Sequence, residues 1–262
     1  GRGLSARGVT QFTAPFCWVT YPQAMAMWCR RHMLAYGTTS EQLAAVAITC
    51  RANAALNERA MQRAPITLDD YLGSRMIVEP FRMLDICLES DGACAVLVTA
   101  AARARDLAQR PVYILGGAYG GGPNQGDDLF DALRWPDHAH NYSRYIAADL
   151  WRSAGVEPGD VDVAEIYDCF TYSVLMQLEG FGFCGEGEGG PFVQDGRIAR
   201  DGALPVNTHG GLLSEAYIHG LNHVLEAVRQ LRGAAGARQV PGAEIAFTSA
   251  GAMTCGSAMV LR

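Results

Sequence analysis

The 262-residue sequence predicts an α/β protein, and three observations predict it. Apolar runs of strand length alternate with stretches of helical periodicity along the whole chain. Hydrophobic residues make up 49% of the total, enough for a sizeable buried core. No short-period repeat or low-complexity segment interrupts the alternation, which points to layered α/β packing rather than a solenoid or bundle.

Residues 22–36, "PQAMAMWCRRHMLAY", read as a helix that Gly37 stops. "TTSE" at 38–41 supplies a capping box, and "EQLAAVAITCRANAAL" continues from it as an apolar-striped helix. After the loop around Pro65, "TLDDYLGSR" is a short helix. "DGACAVLVTA" (91–100) is a dense apolar run of strand length, followed by the helical "AARARDLA". "PVYILGGAYGGG" is a strand ending in glycines, and "YSRYIAADLWRSAG" an amphipathic helix. "VDVAEIYD" is a strand, expected at the centre of its sheet, that runs into the helix "CFTYSVLMQLEGFG". Residues 185–202, rich in Gly, Glu and Asp, form an exposed loop. "GGLLSEAYIHG" (210–220) is a glycine hinge feeding a long helix from about Glu215 to Arg232, which puts Tyr217 where the chain turns inward. "AEIAFTSAG" and "GSAMVLR" are the closing strands.

The net charge of −6 argues against a nucleic-acid partner, because no basic stripe is available to displace phosphate counterions. The mean hydropathy of +0.04 fits a water-soluble chain, and no apolar run reaches membrane-spanning length. The first ten residues lack a signal-peptide core. Eight cysteines are scattered without a C-x-x-C pair, the usage of a reduced, cytoplasmic protein without structural zinc.

"LGGAYGGGP" lacks both the G-x-G-x-x-G spacing and the Walker lysine, so it reads as a flexible turn rather than a phosphate loop. His219 and His223 stand at i and i+4, which is metal-ligand spacing. With no H-E-x-x-H glutamate between them and no third ligand in view, they read as surface or packing residues, and no metal is expected.

Two stretches carry a resemblance. "AGVEPGDVDVAEIYDCF" (154–170) and "VNTHGGLLSEAYIHG" (206–220) resemble the thiolase superfamily, in its sterol-carrier-protein thiolase and lipid-transfer-protein branch. Tyr167-Asp168-Cys169-Phe170 stands where that branch has His-Asp-Cys-Phe. Asn207, Gly210, Gly211, Leu212 and Ser214 match its Asn-x-x-Gly-Gly-Leu-x-Ser segment, and Ala216-Tyr217-Ile218 replaces its Gly-His-Pro. "DGACAVLVTA" and "TCGSAMVLR" fall where the family places its Asp-Gly-Ala strand and closing strand. The resemblance implies a thiolase-like α/β fold of two pseudo-repeated βαβαβ halves around buried central helices. Residues 1–140 would be the remainder of an incomplete N-terminal half, and 141–262 the C-terminal half. The segment bearing the family's nucleophilic cysteine has no counterpart in residues 1–20, and Cys17 lacks the glycine-rich helix start expected around such a nucleophile.

Both family histidines are tyrosines here, and this changes the chemistry. A phenol, with a reference pKa near 10, is a poor partner for making a thiolate at neutral pH. It is a good hydrogen-bond donor to an enolate oxygen and a fair proton donor to carbon. The branch with this pattern is the lipid-transfer-protein-like aldolases of steroid side-chain degradation. The resemblance therefore implies retro-aldol cleavage of a β-hydroxyacyl-CoA, a 17-hydroxy steroid acyl-CoA giving a 17-ketosteroid and propionyl-CoA. Coenzyme A enters only as part of the substrate. A homodimer in complex with a DUF35/OB-fold protein is the implied assembly. Tyr167 and Tyr217, with Cys169 as a further acid or base, are the expected catalytic residues, their hydroxyls meeting in one pocket. Asp168, His209, Gly210, Gly211 and Gly256 are the expected substrate-binding positions, with Gly256 offering an oxyanion N–H. Two other readings stay open: a thiolase-type acyltransferase using Cys169 and an upstream cysteine, and a non-catalytic thiolase-fold lipid carrier or subunit.

Overall fold

A computed structural model describes residues 10–123, 135, 136 and 138–262. A short α1 (Thr10–Thr13) precedes α2 (Tyr21–Tyr36) and α3 (Ser40–Ala55). Gly37 ends α2 as expected, adopting a left-handed conformation and donating its N–H to the Met33 carbonyl at 2.9 Å. The cap of α3 sits one residue later than 38–41 implied. Thr39 Oγ1 accepts the Gln42 N–H at 3.4 Å, and Gln42 Oε1 accepts the Thr39 N–H at 3.0 Å. Thr38 instead bonds His32 Nδ1 at 2.7 Å, so the neighbouring threonine is left to cap the helix.

Beyond α4 (Leu68–Gly73), a small antiparallel pair of β1 (Met76–Val78) and β2 (Phe81–Arg82) occupies a stretch with no strand signal in the sequence. The apolar run 91–100 departs furthest from expectation. It forms no strand, and Leu97 and Val98 are 86% and 71% exposed. A strand exists by pairing, and no neighbour among the described residues offers this run its hydrogen bonds.

After the short α5 (Ala101–Ala104) come β3 (Ile114–Gly121), α6 (Ser143–Ala154), β4 (Val163–Glu165) and α7 (Thr171–Gly180). The short α8 (Gly189–Phe192) and α9 (Gly211–Ser214), then α10 (Leu221–Arg232), β5 (Ala246–Ala250) and β6 (Cys255–Leu261), complete the order. Four strands form one mixed sheet in the order β3-β6-β5-β4, parallel only between β4 and β5. The expectation of a central "VDVAEI" strand needs correcting: β4 lies at the sheet edge. Its outer side is closed by a bridge from Ala164 to Val206, so it is fully buried all the same. All but the last of the glycines of "LGGAYGGG" lie within β3 rather than in a turn after it. At Gly116 the end of α6 presses on the strand, and a Cβ would collide with the Ala154 backbone.

Alternation along β5 separates the two faces of the sheet. Phe247 meets Phe181 and Phe183 at 4.8 and 5.2 Å between ring centres on the α6/α7 side. Ala246, with Val163 of β4, packs instead against Ala227 and Leu231 of α10. α7 is buried from Thr171 to Glu179 and packs on α3, so these two helices line the core. Among the described residues no helix is long and apolar enough to cross a membrane.

The expected exposed loop 185–202 is partly buried, with Val193 and Ile198 each 1% exposed. Glu179 holds it in place. Its carboxylate accepts the N–H groups of Gly187 at 2.9 Å and Gly189 at 2.8 Å, and meets His32 at 3.0 Å and His140 at 3.4 Å. Burial opposes the charge, but the His140 and His32 contacts prevail and hold Glu179 down at about 2. Its stabilisation is therefore complete above the ordinary value of 4.5 and is lost as pH falls toward 2. Acid titrations of thermal stability should show this decline in the wild type and a shallower one in Glu179→Gln.

Candidate active site

Tyr167 is the second residue after β4, and its backbone is pinned from two sides. Ser249 Oγ on β5 accepts its N–H at 3.0 Å; Gln177 Nε2 and Ser173 Oγ on α7 donate to its carbonyl at 2.7 and 2.9 Å. One residue earlier, Asn207 accepts the Ile166 N–H at 2.7 Å and donates to the Ile166 carbonyl at 2.9 Å. The amide thus completes the backbone pairing that the edge strand lacks.

Tyr217 arrives on a turn. The long helix expected from about Glu215 begins only at Leu221, because 211–214 forms α9 and 215–220 connects the two. Ser90 Oγ accepts the Tyr217 N–H at 3.1 Å. His219 therefore lies outside α10, left-handed at φ +49° and exposed, with its ring 4.5 Å from that of Tyr217. His223, inside α10, is fully buried, so the two histidines share no helical face.

The two phenol oxygens are 2.9 Å apart, with ring centres 6.3 Å apart at 65°. Tyr167 is 6% exposed and Tyr217 half-buried, so the pair presents Tyr217 outward. Burial pushes the Tyr167 hydroxyl up, and Cys169 and the bond to Tyr217 push it further. Burial also raises Tyr217, but here the hydrogen bond from Tyr167 acts in the opposite direction. Either hydroxyl can donate across the 2.9 Å contact, so a proton can pass between the two in both directions. Cys169, 5% exposed, is held as a neutral thiol: burial pushes it well up, and Cys87 and Asp168 add to the effect.

The other expected binding residues serve the scaffold. The Asp168 carboxylate is completely buried and accepts the N–H groups of Leu212 at 2.7 Å and Leu213 at 3.3 Å, fixing α9. His209 is completely buried among Glu165, Glu215 and His223. A Cβ on Gly210 would come within 2.6 Å of Ala54 on α3, and one on Gly211 would collide with the Asp168 carboxylate. Gly256 pairs with Gly120 in the sheet, and a Cβ there would strike the Tyr142 ring. These positions bring helices and strands together, and among the described residues no hydrogen bond joins any of their side chains to the phenols. Gly220 does touch the site, 3.2 Å from the Tyr167 ring as measured from a Cβ in its place. Gly220 also lines an apolar groove of about 510 Å³, together with Ala118, Tyr119, His219, Leu221 and Ala258. The supports at Gln177 and Ser249 escaped sequence reasoning, because polar residues in apolar runs carry no spacing signature, and Asn207 stood out only as a motif match.

Residues 131–261 match a family model described as thiolase C-terminal domain-like. The chain belongs to the thiolase family. Within that family it is 44% identical over 251 residues to the 17-hydroxy-3-oxo-4-pregnene-20-carboxyl-CoA lyase of Mycobacterium tuberculosis, covering 95% of this chain and 64% of the relative. It is 40% identical over 245 residues to an acetyl-CoA acetyltransferase of Methanothermobacter thermautotrophicus, covering 92% of this chain and 63% of that one. The solved structure of an Ltp2-ChsH2(DUF35) aldolase superposes with a TM-score of 0.91 at 39% identity, over 99% of this chain and 69% of its own. The chain thus spans less than two thirds of the length of these two curated relatives. The mixed sheet and helix layers are those of a thiolase-like fold.

Proposed function

We propose that this chain carries the catalytic centre of a carbon–carbon lyase, which cleaves a β-hydroxyacyl-CoA by retro-aldol chemistry. The substrate class is a 17-hydroxy steroid acyl-CoA, giving a 17-ketosteroid and propionyl-CoA. The 2.9 Å contact between two phenols at the family's two histidine positions carries this reading, and the name of the Mycobacterium tuberculosis relative supports it.

Both phenols are pushed upward, so both are neutral at physiological pH. A neutral pair still suffices as a relay. The β-hydroxyl proton passes to the Tyr217 oxygen as the Cα–Cβ bond breaks, and its electron pair moves onto the thioester as an enolate. The phenol pair returns one proton to the α-carbon, so the enzyme ends as it began. No covalent intermediate forms, and coenzyme A takes part only as the thioester of the substrate. In the proposed assembly a homodimer works with a DUF35/OB-fold protein in the cytoplasm, in line with the DUF35 component of the structural relative.

The acetyltransferase name of the second relative favours a thiolase-type reading through Cys169. The buried, neutral thiol opposes it, since a thiolate is the nucleophile. Cys169→Ala is expected to keep lyase kcat within about threefold of wild type, well short of the ~10²-fold or more that losing a proton-transfer group costs. The deciding experiment incubates the full-length gene product with a 17-hydroxy steroid acyl-CoA, with and without a co-expressed DUF35-type partner. Mass spectrometry should detect the ketosteroid and propionyl-CoA. Acyl transfer abolished by Cys169→Ala would establish the acyltransferase instead, and no turnover in any preparation a non-catalytic subunit.

A further inference from the structure

His209 is completely buried between two carboxylates and a second imidazole, and the reaction above does not use it. Its Nδ1 lies 2.7 Å from Glu215, two residues before Tyr217, and its Nε2 lies 3.2 Å from Glu165, two residues before Tyr167. The same Nε2 is 2.9 Å from Nδ1 of His223, whose Nε2 meets Asp168 at 3.4 Å. One pair of imidazoles therefore ties the segment ending in Asp168 to the segment ending in Tyr217. We infer that His209 is a cationic clamp, a positioning residue that holds Tyr167 and Tyr217 in hydrogen-bond contact; its role in turnover rests on the lyase reading.

Hydrogen-bond arithmetic supports the cation. Two ring nitrogens 2.9 Å apart share one proton, since one must accept what the other donates. The outer nitrogens face carboxylates and keep their own protons. Four ring nitrogens thus carry three protons, which is one imidazolium and one neutral ring, and His209 is the one placed between two carboxylates. Burial alone would lower its pKa, but Glu215 and Glu165 outweigh that and raise it well above 6.5.

The surrounding charges are accounted for. On the outer side Arg59 lies 3.6 Å from Glu215, and burial, with Glu215 adding to it, pushes the Cys94 thiol up. From α10, Glu226 reaches Thr208 at 3.3 Å and is itself neutralised by Arg238 at 2.9 Å. From α3, the Cys50 thiol donates to Asp168 at 3.6 Å. Glu165, His209 and His223 also have the spacing of a three-ligand metal group. The 2.9 Å between the two ring nitrogens is tighter than the ~3.3 Å that two ligands keep on a tetrahedral ion bonded at about 2.0 Å. A shared proton fits this gap better than an ion.

The test uses the full-length protein with its partner, in wild-type, Glu215→Gln and His209→Gln forms. Glu215→Gln keeps the size of the side chain and its bond to Asn57, so it should fold, as circular dichroism would check. The clamp predicts a fall in kcat of about tenfold or more, with KM within about twofold. Wild-type kcat should decline as pH rises through the elevated imidazole value. That alkaline limb should shift to lower pH in Glu215→Gln and disappear in His209→Gln, changes that a purely structural contact would not produce. Wild-type kcat with an unmoved alkaline limb in Glu215→Gln overturns the clamp. So does a stoichiometric metal, found by elemental analysis in the wild type and lost in His209→Gln. If the wild type proves inactive, the lyase reading fails and the clamp is still decided by ultraviolet titration of the tyrosines. One phenol should titrate earlier in Glu215→Gln than in wild type, and an unchanged titration overturns the clamp.

Discussion

Tyr217→Phe and Tyr167→Phe should each lower lyase kcat by about 10²–10⁴-fold, the usual contribution of a positioned proton-transfer group. In free energy that is roughly 2.7–5.5 kcal/mol of transition-state stabilisation. Each phenol is one end of a two-oxygen relay, so removing either breaks the path and leaves the ring. The two variants should differ in stability. Tyr167 is 6% exposed and its hydroxyl bonds to Tyr217 alone among the described residues, so Tyr217→Phe leaves a buried hydroxyl unpaired and should be the more destabilising variant. Tyr217 is half-buried, so Tyr167→Phe leaves a hydroxyl that water can still reach and should cost less. The double variant should be little slower than either single one, because a relay missing one oxygen has already failed. Steady-state rates of the three variants with the steroid acyl-CoA check this. Independent, multiplying effects would show that the phenols act on separate steps.

The meeting of these phenols was legible because each lies next to a motif that the sequence marks. Tyr167 closes an apolar strand and precedes a helix, while Tyr217 follows a pair of glycines. The scaffold roles of Asp168, His209 and the glycines were not legible. A polar residue near a catalytic one looks the same in sequence whether it faces a ligand or an α-helical N–H, and burial decides the matter only after folding. The run "DGACAVLVTA" has the composition of a strand and lacks a partner, and pairing is a property of two segments that one cannot display. The start of α10 was misplaced for a related reason. Glu215 and Ala216 favour helix intrinsically, but the Glu215 carboxylate is drawn to His209, Asn57 and Asn222, and the backbone follows it out of helical geometry. Tertiary contacts outweighed local preference at the residue that delivers Tyr217.

Gly211→Ala should destabilise the protein by about 3–5 kcal/mol, the range seen when a buried charge loses its partners. Two penalties combine at this position. Gly211 is left-handed at φ +64°, a conformation that costs a non-glycine residue roughly 1–2 kcal/mol. Its added Cβ would also collide with the Asp168 carboxylate, which is completely buried. That carboxylate cannot retreat without giving up the Leu212 and Leu213 N–H groups and the His223 ring. Gly196→Ala provides the control, since Gly196 is left-handed at φ +72° with nothing within 4 Å of an added Cβ. It bears the backbone penalty alone and should cost about 1 kcal/mol. At roughly 2–4 °C per kcal/mol for a chain of this size, Gly211→Ala should melt about 10 °C below wild type and Gly196→Ala only a few degrees below. Equal shifts would place the whole effect in the backbone and show that Asp168 yields freely. A much larger shift for Gly211→Ala would show that the carboxylate is held rigidly beneath the turn leading to Tyr217, which the relay requires if two oxygens on separate segments are to stay in contact.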